Sequence, residues 1–154
     1  MIFYLDTSAL LKYYVRETGS DWLTTLMADP IGNTFATGLI TKAEASAGLA
    51  AKFRQGGLAQ VDYQRAEQDI FHDFAFVYAI VDIDEPLIDL AVDLAKRQKL
   101  RGYDAVQLAA GLTLNTILMQ TQQPPLVFLS ADDTLLRAAR AEGLTVNNPN
   151  LHLS

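Results

Sequence analysis

The sequence predicts an α/β protein whose parallel sheet carries helices on both faces. Short apolar runs alternate along the whole chain with helical segments of about ten or more residues, which is the pattern of successive βαβ units. The chain has 154 residues, of which 50% are hydrophobic, and this is enough for a single substantial core. We therefore expect one domain over residues 1–154.

The first predicted strand, Ile2–Leu5, ends at a carboxylate. It is made of strand-favouring residues, is too short for a helix, and is followed directly by Asp6. Ligands of open α/β sheets bind beyond the carboxyl ends of the strands, which puts Asp6 where a site is expected. The alternative is an aspartate that merely ends a strand. Thr7 or Ser8 is predicted to cap a helix that begins at Ala9.

The other elements follow from apolar periodicity and from Gly, Pro and Asp stop signals. Further strands are predicted over residues 34–37, 76–81, 126–129 and 144–146. Helices are predicted over residues 9–17, 20–28, 39–51, 58–72, 87–100 and 134–141, with one more beginning after Gly102. In the 39–51 helix, Ile40 and the alanines at 43, 47 and 51 predict the buried side, with Glu44 at its edge.

Composition excludes several classes of site. The absence of cysteine rules out thiolate metal sites, disulfides and a cysteine nucleophile. The two histidines, His72 and His152, lie far in sequence from the acidic motifs, which argues against a histidine zinc site or a Ser-His-Asp triad. The polar start and the lack of any apolar stretch near the roughly 20 residues of a membrane span predict a cytoplasmic protein that does not enter a membrane.

The net charge of −6 argues against a general electrostatic grip on nucleic acid. An acidic protein can still act on phosphodiesters when its carboxylates hold divalent cations, because the cations reverse the local sign.

Three more acids stand at positions where a site can form. Glu44 lies in an Ala- and Gly-rich helix, Asp104 in the first turn of the helix after Gly102, and Asp132 just beyond the 126–129 strand. Each one alone has an ordinary interpretation as a solvated helix residue or a helix-start residue. Parallel strands end on one side of a sheet, so Asp6 and Asp132 are expected to converge.

Four carboxylates within a few ångström would repel one another unless a divalent cation neutralised them. Ligand sets made only of oxygen select Mg²⁺ or Mn²⁺ over zinc. The acids therefore predict a site for a hard divalent cation.

The ordered set of acidic motifs resembles that of the PIN-domain superfamily. The motifs are YLDTSALLK at 4–12, TKAE at 41–44, RGYDAVQLA at 101–109 and SAD at 130–132. Within the superfamily the chain most resembles the VapC toxins of bacterial VapBC toxin–antitoxin systems. The resemblance implies a three-layer α/β/α sandwich, Mg²⁺- or Mn²⁺-dependent endoribonuclease activity, frequent homodimerisation, and a VapB-like antitoxin that reaches into the acidic site.

The resemblance also assigns roles to individual residues. It implies four catalytic, metal-binding acids, which are Asp6, Glu44, Asp104 and Asp132. It gives supporting roles to two hydroxyl residues, Ser8 and Ser130. The fourth acid is the least secure of the set, because Asp133 stands beside Asp132 and could replace it.

Contacts with RNA are predicted from closeness in sequence to the acids. Arg101, Lys42 and Lys12 are the cations expected to steer phosphates. Aromatic residues expected to stack on single-stranded bases are Tyr13, Tyr14 and Tyr103. Helix faces around Trp22 and Leu26, and around Phe71 and Phe74, are either core or surfaces for a partner.

Two other functions are compatible with an acidic parallel sheet. One is a PIN-like RNA-processing or RNA-binding protein with no toxin role. The other is a receiver-like module whose strand-end aspartate accepts a phosphoryl group. A receiver needs a lysine at a late strand end, whereas the last predicted strands here end in Ser130-Ala131-Asp132 and in Val146-Asn147.

Overall fold

A five-stranded parallel sheet lies at the centre of the computed structural model, which describes residues 1–153. The strands are β1 (Ile2–Leu5), β2 (Thr34–Gly38), β3 (Ala79–Val81), β4 (Val127–Leu129) and β5 (Thr145–Asn147). Their order across the sheet is β3-β2-β1-β4-β5, and every neighbouring pair is parallel. Ser154, the last residue of the predicted domain, lies outside the described residues.

Helices cover both faces of the sheet. They are α1 (Thr7–Tyr14), α2 (Ser20–Met27), α3 (Ile40–Arg54), α4 (Gln60–Phe76), α5 (Glu85–Arg97), α6 (Gly102–Gln120) and α7 (Asp133–Ala141), with a 3-10 turn at Pro149–Leu151. Phe3 and Leu5 of β1 belong to a core with α1 to α4, whereas Tyr4 belongs to a core with α5 to α7. Alternate residues of one strand thus enter two cores, and the predicted three-layer α/β/α sandwich is confirmed.

The third strand is shorter than the sequence predicts. Residues 76–78 have strand-favouring types, but α4 continues through Phe76, and β3 begins only at Ala79. The helical spacing of Ile70 and Phe74, both buried, outweighs the strand propensity of the aromatic residues that follow. Phe76 is consequently 79% exposed instead of lying in the sheet.

The buried side of α3 is also different from the prediction. Thr41, Ala45 and Leu49 are buried, whereas Ala43 and Ala47 are exposed. In a helix so rich in alanine the apolar contrast between faces is small, and Leu49, the large apolar side chain, decides which face enters the core. Glu44 is left partly exposed beside this buried face.

The aromatic residues considered for partner binding divide between core and surface. Phe74 is buried, and Trp22 and Leu26 are partly buried against the same core. Phe71 is exposed.

No helix in residues 1–153 combines the length and the apolar character that crossing a bilayer requires.

The strand order places a ligand crevice at β1. The chain runs from β1 outward through β2 and β3 on one side, and then places β4 and β5 on the other side. Ligands of open α/β sheets bind at the carboxyl ends of the two strands that flank such a reversal, which here are β1 and β4. Leu5 pairs with Leu129 in the register of these strands, so Asp6 and Ser130 emerge side by side.

Candidate active site

Asp6 is a buried carboxylate fixed at the junction of β1 and α1. It is the N-cap of α1, where its Oδ1 accepts a hydrogen bond from the backbone N–H of Ala9 at 2.8 Å. Its other oxygen, Oδ2, accepts from the hydroxyl of Ser130 at 2.6 Å. The predicted cap by Thr7 or Ser8 is therefore wrong, because the acid itself takes that place and the helix begins at Thr7.

Burial raises the pKa of Asp6 to about 6. Hydrogen bonds from Ser130, Ala9 and Ser8 offset part of this effect, and the negative charge of Asp104 adds to it. Among residues 1–153, no lysine or arginine forms an ion pair with Asp6. At neutral pH the site thus contains an ionised, 4% exposed carboxylate without a protein cation to balance its charge.

Ser8 and Ser130 tie the loop after β4 to the start of α1. Ser8 Oγ donates to Asp6 Oδ1 at 2.8 Å and accepts from the backbone N–H of Ala131 at 2.9 Å. Ser130 Oγ, besides donating to Asp6, accepts from the backbone N–H of Asp132 at 3.0 Å. The two hydroxyls therefore fix both the first carboxylate and the segment that carries the last one.

Asp104 and Asp132 line one cavity of about 330 Å³ beside this junction. Burial raises the pKa of Asp104, and the charges of Asp132 and Glu44 raise it further, whereas Arg101 lowers it. Asp132 is the N-cap of α7, where its Oδ1 accepts from the backbone N–H of Thr134 at 2.8 Å. These acids therefore lie within one another's electrostatic field.

The neighbouring acid, Asp133, points to a different part of the surface. Its Oδ1 accepts from the side-chain amide of Asn148 at 3.0 Å, and it lines a separate cavity with residues of α7 and β5. Of the two adjacent aspartates, it is Asp132 that shares a cavity with Asp104.

Glu44 is held by a buried polar network that the sequence analysis missed. Gln107 of α6 donates from Nε2 to Glu44 Oε1 at 2.8 Å and lies within hydrogen-bond distance of the hydroxyls of Thr41, at 2.9 Å, and Thr7, at 3.2 Å. Its carbonyl oxygen accepts from the hydroxyl of Tyr4 at 2.8 Å. The available signal was a single amide within the otherwise apolar 105–110 run of α6.

The four acids are neighbours without forming a compact ligand set. Among residues 1–153, no three histidine or acidic side chains lie close enough together to hold a metal ion as they stand. The expectation of four carboxylates within a few ångström is therefore not met. Glu44 is hydrogen-bonded to Gln107, and Asp132 is hydrogen-bonded to the first turn of α7.

Oxygen donors in this arrangement still suit a hard cation. Mg²⁺ usually binds through one or two carboxylates and keeps several of its waters, so it does not require three protein ligands. Asp6 and Asp104 supply two carboxylates in a common field, and Ser8 and Ser130 hold the first of them in place.

The cations predicted to contact phosphate have different surroundings. Arg101 is exposed, donates to Tyr103 Oη at 3.0 Å and lines the cavity of Asp104 and Asp132 together with Lys99. Lys42 lies over the ring of Phe71, 5.2 Å from its centroid. The prediction for Lys12 is wrong, because Lys12 is 4% exposed and its Nζ pairs with Glu17 Oε2 at 3.2 Å.

The three tyrosines predicted to stack on bases lie in different parts of the molecule. Tyr103 is exposed and lines the acidic cavity. Tyr13 is exposed but lines cavities on the side of α4, with Asp73. The Tyr14 hydroxyl is engaged with Asp73 at 2.7 Å and with Tyr78 at 2.6 Å.

A comparison with known families decides where this arrangement belongs. The family model described as PIN domain matches residues 3–141, which is nearly the whole chain. The chain belongs to the PIN domain family. The resemblance inferred from the four acidic motifs is confirmed, and this PIN domain has curated relatives with the same VapC name that the motifs suggested.

Two such relatives come from Mycobacterium tuberculosis. Ribonuclease VapC45 of strain CDC 1551 / Oshkosh is 32% identical over 143 residues, which are 93% of this chain and 92% of the relative. Ribonuclease VapC49 of strain ATCC 25618 / H37Rv has the same identity and coverage.

Solved structures share the fold of this PIN domain. VapBC2 from Rickettsia felis, bound to a DNA fragment from their promoter, contains a chain that matches with a TM-score of 0.65 at 15% identity, over 96% of this chain and 98% of that chain. FitAcB from Neisseria gonorrhoeae matches with a TM-score of 0.59 at 23% identity, over 99% of this chain and 100% of that chain.

Proposed function

We propose that this PIN domain is a Mg²⁺- or Mn²⁺-dependent endoribonuclease that hydrolyses RNA phosphodiester bonds as the toxin of a toxin–antitoxin pair. The observation that carries the proposal is the buried carboxylate of Asp6, which has a pKa of about 6, no protein counter-ion within residues 1–153, and Asp104 in its field. An uncompensated group of this kind is costly to fold, and such groups concentrate at functional sites. The relatives named ribonuclease VapC support RNA as the substrate.

The carboxylates of Asp6 and Asp104 would hold the cation directly, and Asp132 and Glu44 would reach it through its coordinated waters. A divalent cation bound there supplies positive charge to the scissile phosphate and makes a coordinated water more acidic. Asp6 contributes a fixed oxygen, because Ser8, Ser130 and the first turn of α1 hold it. Glu44 keeps one oxygen on Gln107, and its other oxygen is available to orient a water molecule.

The cations and the aromatic ring of the same cavity provide contacts for the substrate. Arg101 is exposed, and its planar guanidinium can bind phosphate with two parallel hydrogen bonds. Lys99 adds a second positive charge to the cavity wall. Tyr103 offers a ring on which a single-stranded base can stack. Lys42, which lies against Phe71, is the weaker phosphate contact.

A VapB-like antitoxin and a second copy of this chain complete the proposal as partners. The names of the VapC relatives and the VapBC2 structure support the antitoxin. The neighbouring carboxylates of Asp6, Asp104, Asp132 and Glu44 and the net charge of −6 suit a partner that brings basic side chains to the site.

Two measurements test this function. Purified protein should cleave a fluorescent single-stranded RNA in Mn²⁺ or Mg²⁺, and cleavage should stop when EDTA is added. Expression of the chain alone should arrest bacterial growth, and co-expression with the product of the adjacent gene should relieve the arrest. Metal-dependent cleavage without arrest would favour a non-toxic RNA-processing role, and cleavage that resists EDTA would contradict the metal-dependent mechanism.

A further inference from the structure

We propose that Gln107 is the positioning residue that orients Glu44 toward the cation, and that Tyr4 sets the orientation of the Gln107 amide. This inference rests on the proposed function, because it concerns how that site is held together. It adds a residue that lies outside the four acids and the two serines.

The hydrogen bonds allow only one orientation of the Gln107 amide. An ionised Glu44 can only accept hydrogen bonds, so the NH₂ group of Gln107 must face Glu44 Oε1, 2.8 Å away. The carbonyl oxygen of Gln107 then faces the Tyr4 hydroxyl, which must donate to it, at 2.8 Å. The two ends of the amide agree, and a flipped amide would place two acceptors against each other.

The anchor of this chain of hydrogen bonds is rigid. Tyr4 belongs to the central strand β1, is fully buried, and stacks on Phe128 of β4 with ring centroids 5.2 Å apart. Gln107 itself is only 2% exposed. The position of Glu44 on α3 is thus linked through α6 to the middle of the sheet.

Packing alone does not explain an amide at this place. The neighbouring positions 105, 106 and 108–110 of α6 are filled by Ala, Val and Leu. A buried amide that loses a partner destabilises the fold, so an apolar side chain would be the safer choice for the core. The amide donates a hydrogen bond to one oxygen of Glu44, which leaves the other oxygen available for a ligand.

A double-mutant cycle on Mn²⁺ affinity tests this role. The apparent Kd for Mn²⁺, measured by electron paramagnetic resonance, should rise roughly 10- to 100-fold in Gln107→Leu, the usual effect of removing a partner of a metal ligand. In a Glu44→Gln background the same substitution should change the Kd by less than about twofold, since its effect passes through Glu44. Gln120→Leu, at the exposed end of the same helix, is the matched control and should leave the Kd unchanged.

Tyr4→Phe provides a second variant that keeps the ring and its stacking on Phe128. It should weaken Mn²⁺ binding in the same direction as Gln107→Leu, but less, because only the orientation of the amide is released. An unchanged affinity in Gln107→Leu, or an equal loss in both Glu44 backgrounds, would overturn the proposal.

The side-chain amide of Gln107 gives a readout that needs no cation. Its ¹⁵N–¹H signals should be protected from exchange with water, should shift in Glu44→Gln and should stay in place in Asp133→Asn. If the signals shift in this way but the protein binds no Mn²⁺, the hydrogen bond between Gln107 and Glu44 is confirmed, whereas the proposed function and the positioning role are both contradicted. If the Gln107 amide signals do not shift in Glu44→Gln, the positioning role is overturned. The proposed function still stands in that case if Mn²⁺ binds.

Discussion

Asp6 and Asp73 are both carboxylates bonded to hydroxyl groups, yet their surroundings differ. Asp73 accepts from the Tyr14 hydroxyl at 2.7 Å, lies 3.1 Å from His72 Nδ1, and adjoins Tyr78 through Tyr14. Burial raises the pKa values of Tyr14 and Tyr78, so both tyrosines remain neutral hydroxyls. Asp6 accepts from two serines instead and has the charge of Asp104 nearby.

The difference shows which feature marks a site. A hydroxyl–carboxylate hydrogen bond occurs in both clusters and by itself only stabilises the fold. What distinguishes the carboxyl end of the sheet is that burial, with a further contribution from neighbouring negative charge, raises the pKa values of both Asp6 and Asp104. The cluster of Tyr14, Asp73 and Tyr78 is therefore expected to be structural.

The largest expected effect is on catalysis. Asp6→Asn and Asp104→Asn should each lower the rate of RNA cleavage by at least about 10³-fold, because each removes a charge needed to hold the cation. The rate is measured with excess enzyme over a fluorescent RNA. Asp133→Asn, one residue beyond the cavity, should keep most of the activity. Cleavage retained in both site variants would remove the distinction between the clusters.

The next effect is on the pH dependence of stability. Asp6 has a pKa of about 6 in the folded chain against an ordinary value of 3.8, so the folded state binds its proton more tightly. The free energy of unfolding should therefore fall as the pH rises from about 4 to about 6, by roughly 3 kcal/mol for this group. Urea unfolding in EDTA should show a shallower fall in Asp6→Asn than in the wild type. Parallel curves for the two proteins would contradict the raised pKa.

A smaller effect is expected in the structural cluster. Tyr14→Phe removes the donor to Asp73 and should cost roughly 2 kcal/mol of unfolding free energy, with no change in the rate of RNA cleavage. Tyr63→Phe is the matched control, because it also removes a tyrosine hydroxyl and leaves the ring at position 63 stacked on Phe53. A loss of activity in Tyr14→Phe at full stability would show that this cluster takes part in function.

The smallest effect concerns the backbone at the cavity wall. Among residues 1–153, the non-glycine residues with positive φ are Lys99, at 54°, and Gln122, at 56°. Replacing either by glycine should raise the unfolding free energy by about 1 kcal/mol, because glycine adopts this conformation without a steric penalty. Only Lys99→Gly should also weaken RNA binding, by a few-fold in fluorescence anisotropy. Equal RNA affinity in the two variants would remove Lys99 from the site.

The sequence predicted those parts of the molecule that depend on local pattern. The apolar runs of β1 and β4 end directly at Asp6 and Ser130, and the parallel topology then brings these ends together. Strand propensity gave the wrong result where neighbouring elements decided the structure. Residues 76–78 were predicted as part of the third strand, but α4 ends at Phe76, a turn follows, and β3 begins at Ala79. The buried position of Lys12 could not be predicted either, because its partner Glu17 is fixed by how the chain turns after α1.

The site was predicted less completely than the fold. The acids could be selected because carboxylates at strand and helix ends form a recognisable pattern. The hydrogen bonds that hold Glu44 could not, because they join Tyr4, Thr41 and Gln107 from three separate elements. Their partnership depends on how α3 and α6 approach one another, which no local pattern encodes.

The central claim is that Asp6 helps to hold a divalent cation. The most direct test is to titrate Mn²⁺ into the wild type, Asp6→Asn and Asp133→Asn at pH 7 and to measure binding by isothermal titration calorimetry. A cation held by Asp6 and Asp104 predicts saturable binding to the wild type and to Asp133→Asn, and a large loss of affinity in Asp6→Asn. Equal Mn²⁺ affinity in all three proteins, or no saturable binding to the wild type, would contradict it.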